Sequence, residues 1–78
     1  MNNAEKLAVL LFMRDLAIDE RMATVLVTAG LLSLEEVAYM PLYEFAAIEG
    51  IDQASIPVLR KRARAHLLRI ALDDEGLL

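Results

Sequence analysis

A single glycine set between two apolar helical segments constrains this chain most. Gly50 follows the largely apolar run Leu42–Ala47 by way of Ile48 and Glu49, and it leads through Ile51 and Asp52 into the long segment Ile56–Leu72. A chain that leaves one helix and enters another within a few residues needs a position that accepts positive φ, and glycine does so without a Cβ clash. Ile48 and Ile51 flank the turn and are placed to tuck beneath it, pinning both helices to one core. The stretch Ile48, Glu49, Gly50, Ile51, Asp52 is therefore expected to be a tight hairpin.

The rest of the chain supplies helices for that hairpin to organise. Asn2 or Asn3 can cap a first helix starting near Ala4, with Glu5 in its first turn where the dipole favours an anion. Asp19 is a good N-cap for a second helix carrying Met22, Val25 and Leu26, and Gly30 supplies its stop. Ser33 caps a third, with Glu36 three residues on completing a capping box and Leu34, Val37 and Ala38 facing inward. Pro41 ends that helix, because the residue before a proline is pushed out of the helical region. Leu42–Ala47 form a fourth. The last helix is capped by Asp52 or by Ser55, with Pro57 in a first turn expected to be distorted. Its inward stripe reads Ile56, Leu59, Ala63, Leu67 and Ile70, which turns a basic cluster of Arg60, Lys61, Arg62, Arg64 and Arg69 to water. Asp73, Asp74 and Glu75 have the wrong sign for a helix C-terminus, so residues 73–78 are expected to fray. Five helices result, with no strand signal: one all-α domain, divided into an N-terminal apolar helix (1–17), a core (18–72) and a tail (73–78).

Seventy-eight residues with 58% apolar content and no cysteine must be held by helix packing alone. The net charge of −4 argues against general affinity for nucleic acid or an anionic membrane. Leu7–Met13 is wholly apolar but far short of the roughly 20 residues that span a bilayer, and no small-residue cleavage site follows it. A cytoplasmic location is expected. Leu7, Leu10, Leu11 and Arg14 follow helical spacing, and Val9, Phe12 and Met13 widen that stripe almost around the helix; a helix that apolar is normally buried on more than one side. The alternative is that part of its face is uncovered and docks another domain or a second copy.

Catalytic chemistry is not expected. Nucleophile triads and metal sites draw on histidine and cysteine, and the chain has one histidine and no cysteine. His66 reads as a packed, hydrogen-bonded side chain, and Tyr39 and Tyr43 near Pro41 as rings half in the core. Gly50 alone cannot form a phosphate loop of the Walker or dinucleotide type. Neither a cofactor nor a metal is expected.

The hairpin resembles the helix-hairpin-helix motif (apolar, any residue, Gly, apolar, Gly, then a helix), and the expected architecture is accordingly a compact five-helix domain of that SAM-like type. Gly50 fits the first glycine, while Asp52 stands where the second would be. In members that bind DNA, hairpin N–H groups sit against a phosphate, which an anion at Asp52, with Glu49 beside it, would repel. Direct DNA binding is therefore not expected.

From Ile18 onward the chain also resembles the acidic repeat at the C-terminus of the bacterial transcription elongation and termination factor NusA, the first of two repeats in particular. The resemblance rests on Asp19-Glu20, Ala23–Val27, Gly30, Ser33–Tyr39, Pro41, Ile48–Asp52 and Leu59–Ala63, and it departs at Pro57 and in Leu7–Met13. It implies a helical docking unit attached, in that family, to RNA-binding S1 and KH modules. Such repeats engage protein partners, among them phage antitermination factors and the C-terminal domain of the RNA polymerase α subunit. The latter contact, like the masking of the RNA-binding modules, belongs chiefly to the second repeat.

Three functional expectations follow. The first is a module that docks protein partners in transcription through an acidic surface (Glu35, Glu36, Glu44, Glu49, Asp52) and the basic stripe of the last helix. The second is nucleic-acid binding, with Gly50 and Ile51 approaching a phosphate and Arg60, Lys61 and Arg64 supplying charge. The third is a structural domain that self-associates through Leu7–Met13.

Overall fold

Local capping sets where the helices begin. In the computed structural model, which describes residues 1–76, α1 (Asn3–Leu16) opens on Asn2. The Asn2 side chain accepts from the Glu5 N–H at 2.8 Å, while the Glu5 carboxylate accepts from the Asn2 N–H at 3.1 Å. This is a complete capping box. Helix α2 (Glu20–Thr28) opens on Asp19, whose carboxylate accepts from the Met22 N–H.

The α2 C-terminus closes through Gly30 at φ +94°. Gly30 donates to the Val27 carbonyl and Leu31 to the Leu26 carbonyl, the bond pair of a Schellman motif. Leu26 and Leu31 are both fully buried, so the motif carries its usual apolar closure.

Helix α3 (Leu34–Tyr39) starts at Ser33, but the expected capping box is shifted by one residue. The Ser33 hydroxyl accepts from the Glu36 N–H, and the Glu36 carboxylate takes the Leu32 N–H and the Ser33 Oγ–H instead of the Ser33 N–H. Pro41 separates α3 from α4 (Leu42–Ala46). A single 3-10 turn, Gln53–Ser55, precedes α5 (Ile56–Asp74), which accommodates Pro57 in its first turn. The alternatives for the last cap are thereby settled. Asp52 caps the 3-10 turn, and Ser55 makes no capping bond of its own to α5. Helix α5 stays regular to Asp74 and closes at Gly76; residues 77–78 of the expected tail lie outside the described residues.

The five helices enclose one core. Phe12 and Leu16 of α1, Leu26 and Val27 of α2, Leu31 just after it, Val37 of α3, Phe45 of α4 and Leu59 of α5 are its largest fully buried contributors. No polar or charged residue is buried among the described residues, and none of them forms a strand. Ile48 and Ile51, on either side of the Gly50 turn, pack against the core as their positions suggest.

Two apolar stripes differ from expectation. On α1 the buried positions are Ala8, Val9, Phe12 and Leu16, leaving Leu7 and Leu10 exposed. On α5 burial ends at Ala63, with Leu67 half-buried and Ile70 exposed. On α5 the physical reason is length. A helix of 19 residues extends about 28 Å, farther than the short helices α3 and α4 can cover. No helix among the described residues is long and apolar enough to cross a membrane.

Candidate functional site

The surface with the most varied chemistry lies where Pro41 forces α3 and α4 apart. Met40 is extended (φ −55°, ψ 138°), as the residue before a proline should be, and Pro41 serves as the α4 cap residue. The break throws Tyr39, Leu42 and Tyr43 outward, and they are 65%, 62% and 75% exposed. The half-buried rings expected of the two tyrosines are not found. Val37, Ala38 and Phe45 are the side chains this joint buries instead.

On one side of the ridge lies an acidic groove. Glu35 and Glu36 of α3 and Glu44 of α4 rim a floor of Tyr39, Met40 and Pro41. On the other side lies a basic one, where Arg60, Lys61 and Arg64 surround Leu42, Ile56 and Pro57. Arg64 lies 5.4 Å over the Tyr39 ring, and Arg60 lies 5.8 Å over Phe45, within cation–π range. A polypeptide crossing Pro41 would thus meet carboxylates, apolar surface and guanidinium groups in succession.

The basic cluster is not the free solvated stripe that the sequence suggested. Arg60 Nη1 donates to the Met40 carbonyl at 2.6 Å and Arg64 Nε to the Ala38 carbonyl at 3.0 Å. Both acceptors belong to the C-terminal end of α3, where carbonyls lack intrahelical partners and the dipole favours a cation. On another face of α5, Arg62 Nη1 donates to the Leu16 and Ala17 carbonyls at 2.9 and 3.3 Å, closing α1 in the same way. Gln53 Nε2 does likewise for α4 through the Ala46 carbonyl. Lys61 is exposed in the basic groove, and Arg69 sits two turns farther along α5 beside His66, Ile70 and Asp73. The five cations therefore fall into three groups.

The acidic candidates divide too. Glu35, Glu36 and Glu44 are brought together, while Glu49 and Asp52 lie on the hairpin. Gly50 adopts φ +84° as its place in the turn requires, and a Cβ there would stand 3.4 Å from Val25 Cγ2 of α2. The Ile51 N–H donates to the Ile48 carbonyl across the turn. Asp52 accepts from the Ala54 N–H at 3.1 Å and from Ser55 Oγ at 3.0 Å. Asp52 thus adds a negative charge to the hairpin and also occupies nearby donors. It lines a shallow groove with Asp19, Arg21 and Arg62, and both of those carboxylates are engaged in capping.

His66 is partly exposed, with Nε2 3.8 Å from Asp15 Oδ1 of α1, beyond hydrogen-bond distance, so the packed, hydrogen-bonded histidine that the sequence suggested is not found. Asp15 takes two bonds from Arg14, whose guanidinium is held above its usual pKa by that hydrogen bond and charge. No three His, Cys, Asp or Glu side chains gather into a metal-sized group among the described residues.

The residues that sequence reasoning missed are the ridge itself: Tyr39, Met40, Pro41 and Leu42. A usable signal was present. Phe45 supplies the aromatic bulk a joint of this size can bury, which leaves the flanking tyrosines for the surface. Compared with models of known protein families, the chain matches none.

Proposed function

We propose that this is a non-catalytic, cytoplasmic protein-docking module of a transcription elongation, termination or antitermination factor. It is built on a helix-hairpin-helix scaffold of the SAM-like type and binds RNA polymerase or an associated factor. The docking surface is the Tyr39–Pro41–Leu42 ridge with its flanking acidic and basic grooves. The observation that carries this reading is the convergence of three carboxylates and three exposed aromatic or aliphatic side chains, Tyr39, Leu42 and Tyr43, on one joint, since exposed tyrosine is a favoured anchor in protein interfaces. The resemblance of residues 18–63 to the acidic repeats supplies the transcriptional context. Engagement of Arg60, Arg62 and Arg64 by helix-terminal carbonyls and of hairpin donors by Asp52 weighs against phosphate recognition.

The test is an amide NMR titration of the isotope-labelled chain, first with a short DNA duplex at low salt, then with core RNA polymerase and with the isolated C-terminal domain of its α subunit. The expected result is silence with DNA and selective shifts or line broadening over residues 35–44 with a polymerase component. Shifts of residues 49–55 together with the α5 cations on adding DNA, fading as salt rises, would overturn the reading. So would failure of every polymerase component to perturb residues 35–44.

A further inference from the structure

A second surface, remote in sequence from the Pro41 ridge, remains without a partner. Along α1, Leu7 and Leu10 are 56% and 62% exposed. Leu10 stands over a groove between α1 and α2, also lined by Met1 and Thr24, in which Val9 and Met13 form the apolar floor and Lys6 and Glu20 are the charged side chains. Lys6 lies one turn before Leu10, and Met13 one turn after it. Glu20 opens α2 just beyond the short connection that ends α1, so it belongs to the Met13 end. The groove therefore carries a cation at one end, an anion at the other and an exposed leucine between them.

That arrangement is complementary to itself under a twofold rotation. Two copies of α1 laid antiparallel, with the axis near Leu10, bring Lys6 of each copy to the Glu20 end of the other, where Arg14 is already paired with Asp15, while Leu10 covers the apolar floor. An isologous contact requires such reciprocity. We propose that the chain self-associates through this groove as an antiparallel α1–α1 dimer, an inference that does not depend on the docking role of the Pro41 ridge. One helix face and one groove make an interface at the small end of the range for specific complexes, so the dimer is weak, with a dissociation constant on the order of 100 μM.

The experiment is sedimentation equilibrium of the 78-residue chain from low micromolar to millimolar concentration, together with the variants Leu10→Glu, Lys6→Glu, Glu20→Lys and the double charge swap. All three positions are exposed, and helicity measured by circular dichroism verifies that each variant is folded. Leu10→Glu is expected to weaken association at least tenfold, each single charge reversal several-fold, and the double swap to restore it to within about twofold. Isotope-filtered NOEs between Leu10 of one copy and Met13 of the other provide the same answer without any variant. A chain that stays monomeric at millimolar concentration overturns the proposal, including the case in which Leu7 and Leu10 instead respond to a peptide or a lipid vesicle. A dimer that ignores Leu10→Glu, or whose charge reversals fail to compensate, overturns it as well.

Discussion

Arg62 Nη1 donates to the carbonyl of Leu16 at 2.9 Å, joining residues 46 apart in sequence and closing the C-terminal end of α1 with a side chain from the middle of α5. The contact adds a polar tie between α1 and α5 to the apolar packing that holds the N-terminal helix on the domain. Replacing Arg62 with alanine is expected to cost about 1 kcal/mol, the usual scale for a partly solvated bond to a charged donor. In a domain this small that lowers the midpoint of thermal unfolding by about 4–8 °C. Calorimetry checks it, and Arg62→Lys is expected to recover only part of the loss, because an ammonium cannot reproduce the planar fork that reaches both Leu16 and Ala17.

Arg60 and Arg64 hold the end of α3, whereas Lys61 shares their groove without a hydrogen-bonded partner among the described residues. Arg60→Ala and Arg64→Ala are each expected to destabilise by about 1 kcal/mol, and Lys61→Ala to stay within about 0.5 kcal/mol of the parent. Urea denaturation distinguishes them. Equal, negligible losses at all three positions would show that the carbonyl contacts contribute nothing.

Asp52 is a cap before it is a repulsive charge. Asp52→Ala is expected to cost about 1 kcal/mol, while Asp52→Asn, which keeps an acceptor for the Ala54 N–H, stays within about 0.5 kcal/mol. Asp52→Gly restores the glycine of the hairpin pattern at a cost of roughly a few tenths of a kcal/mol. With Glu49 and the net negative charge still present, it is not expected to create measurable DNA affinity at physiological salt, as read by fluorescence anisotropy.

Two backbone positions share the left-handed region with opposite residue choices. Gly50 sits at φ +84° and Ala17 at φ +53°. An alanine at 50 is expected to cost about 1–2 kcal/mol from backbone strain. The 3.4 Å approach to Val25 adds little to that, so Val25→Ala should not rescue it. Ala17→Gly runs the other way. It relieves similar strain against roughly 0.5–1 kcal/mol of extra unfolded-chain entropy, and thermal melts are expected to show a net gain of about 0.5 kcal/mol.

Much of the fold was legible because its signals are local. Asn2, Asp19, Ser33, Pro41 and Gly50 each act within a few residues of themselves, through a side-chain acceptor, a missing N–H or a missing Cβ. Helical spacing found Met22 and Leu26 on α2 and Val37 and Ala38 on α3, but Val25 and Leu34 are only half-buried, while Ala23 and Val27 complete the buried face of α2. Helices α1 and α5 were read less well, because an apolar residue at a suitable spacing is buried only if another element reaches it. Leu7, Leu10 and Ile70 satisfy the spacing and lack the neighbour.

The candidate site was legible in part. Glu35, Glu36 and Glu44 do converge, but periodicity could not show that Tyr39 and Tyr43 would be displaced outward by Phe45, nor that the arginines of α5 would be shared between two helix ends. The sequence by itself determined where most helices start and stop and that the chain turns at Gly50, since capping and backbone sterics act over one turn of chain. Only the tertiary structure decided which arginine meets which carbonyl and which apolar side chains stay in water, because those outcomes depend on partners 20 to 46 residues away.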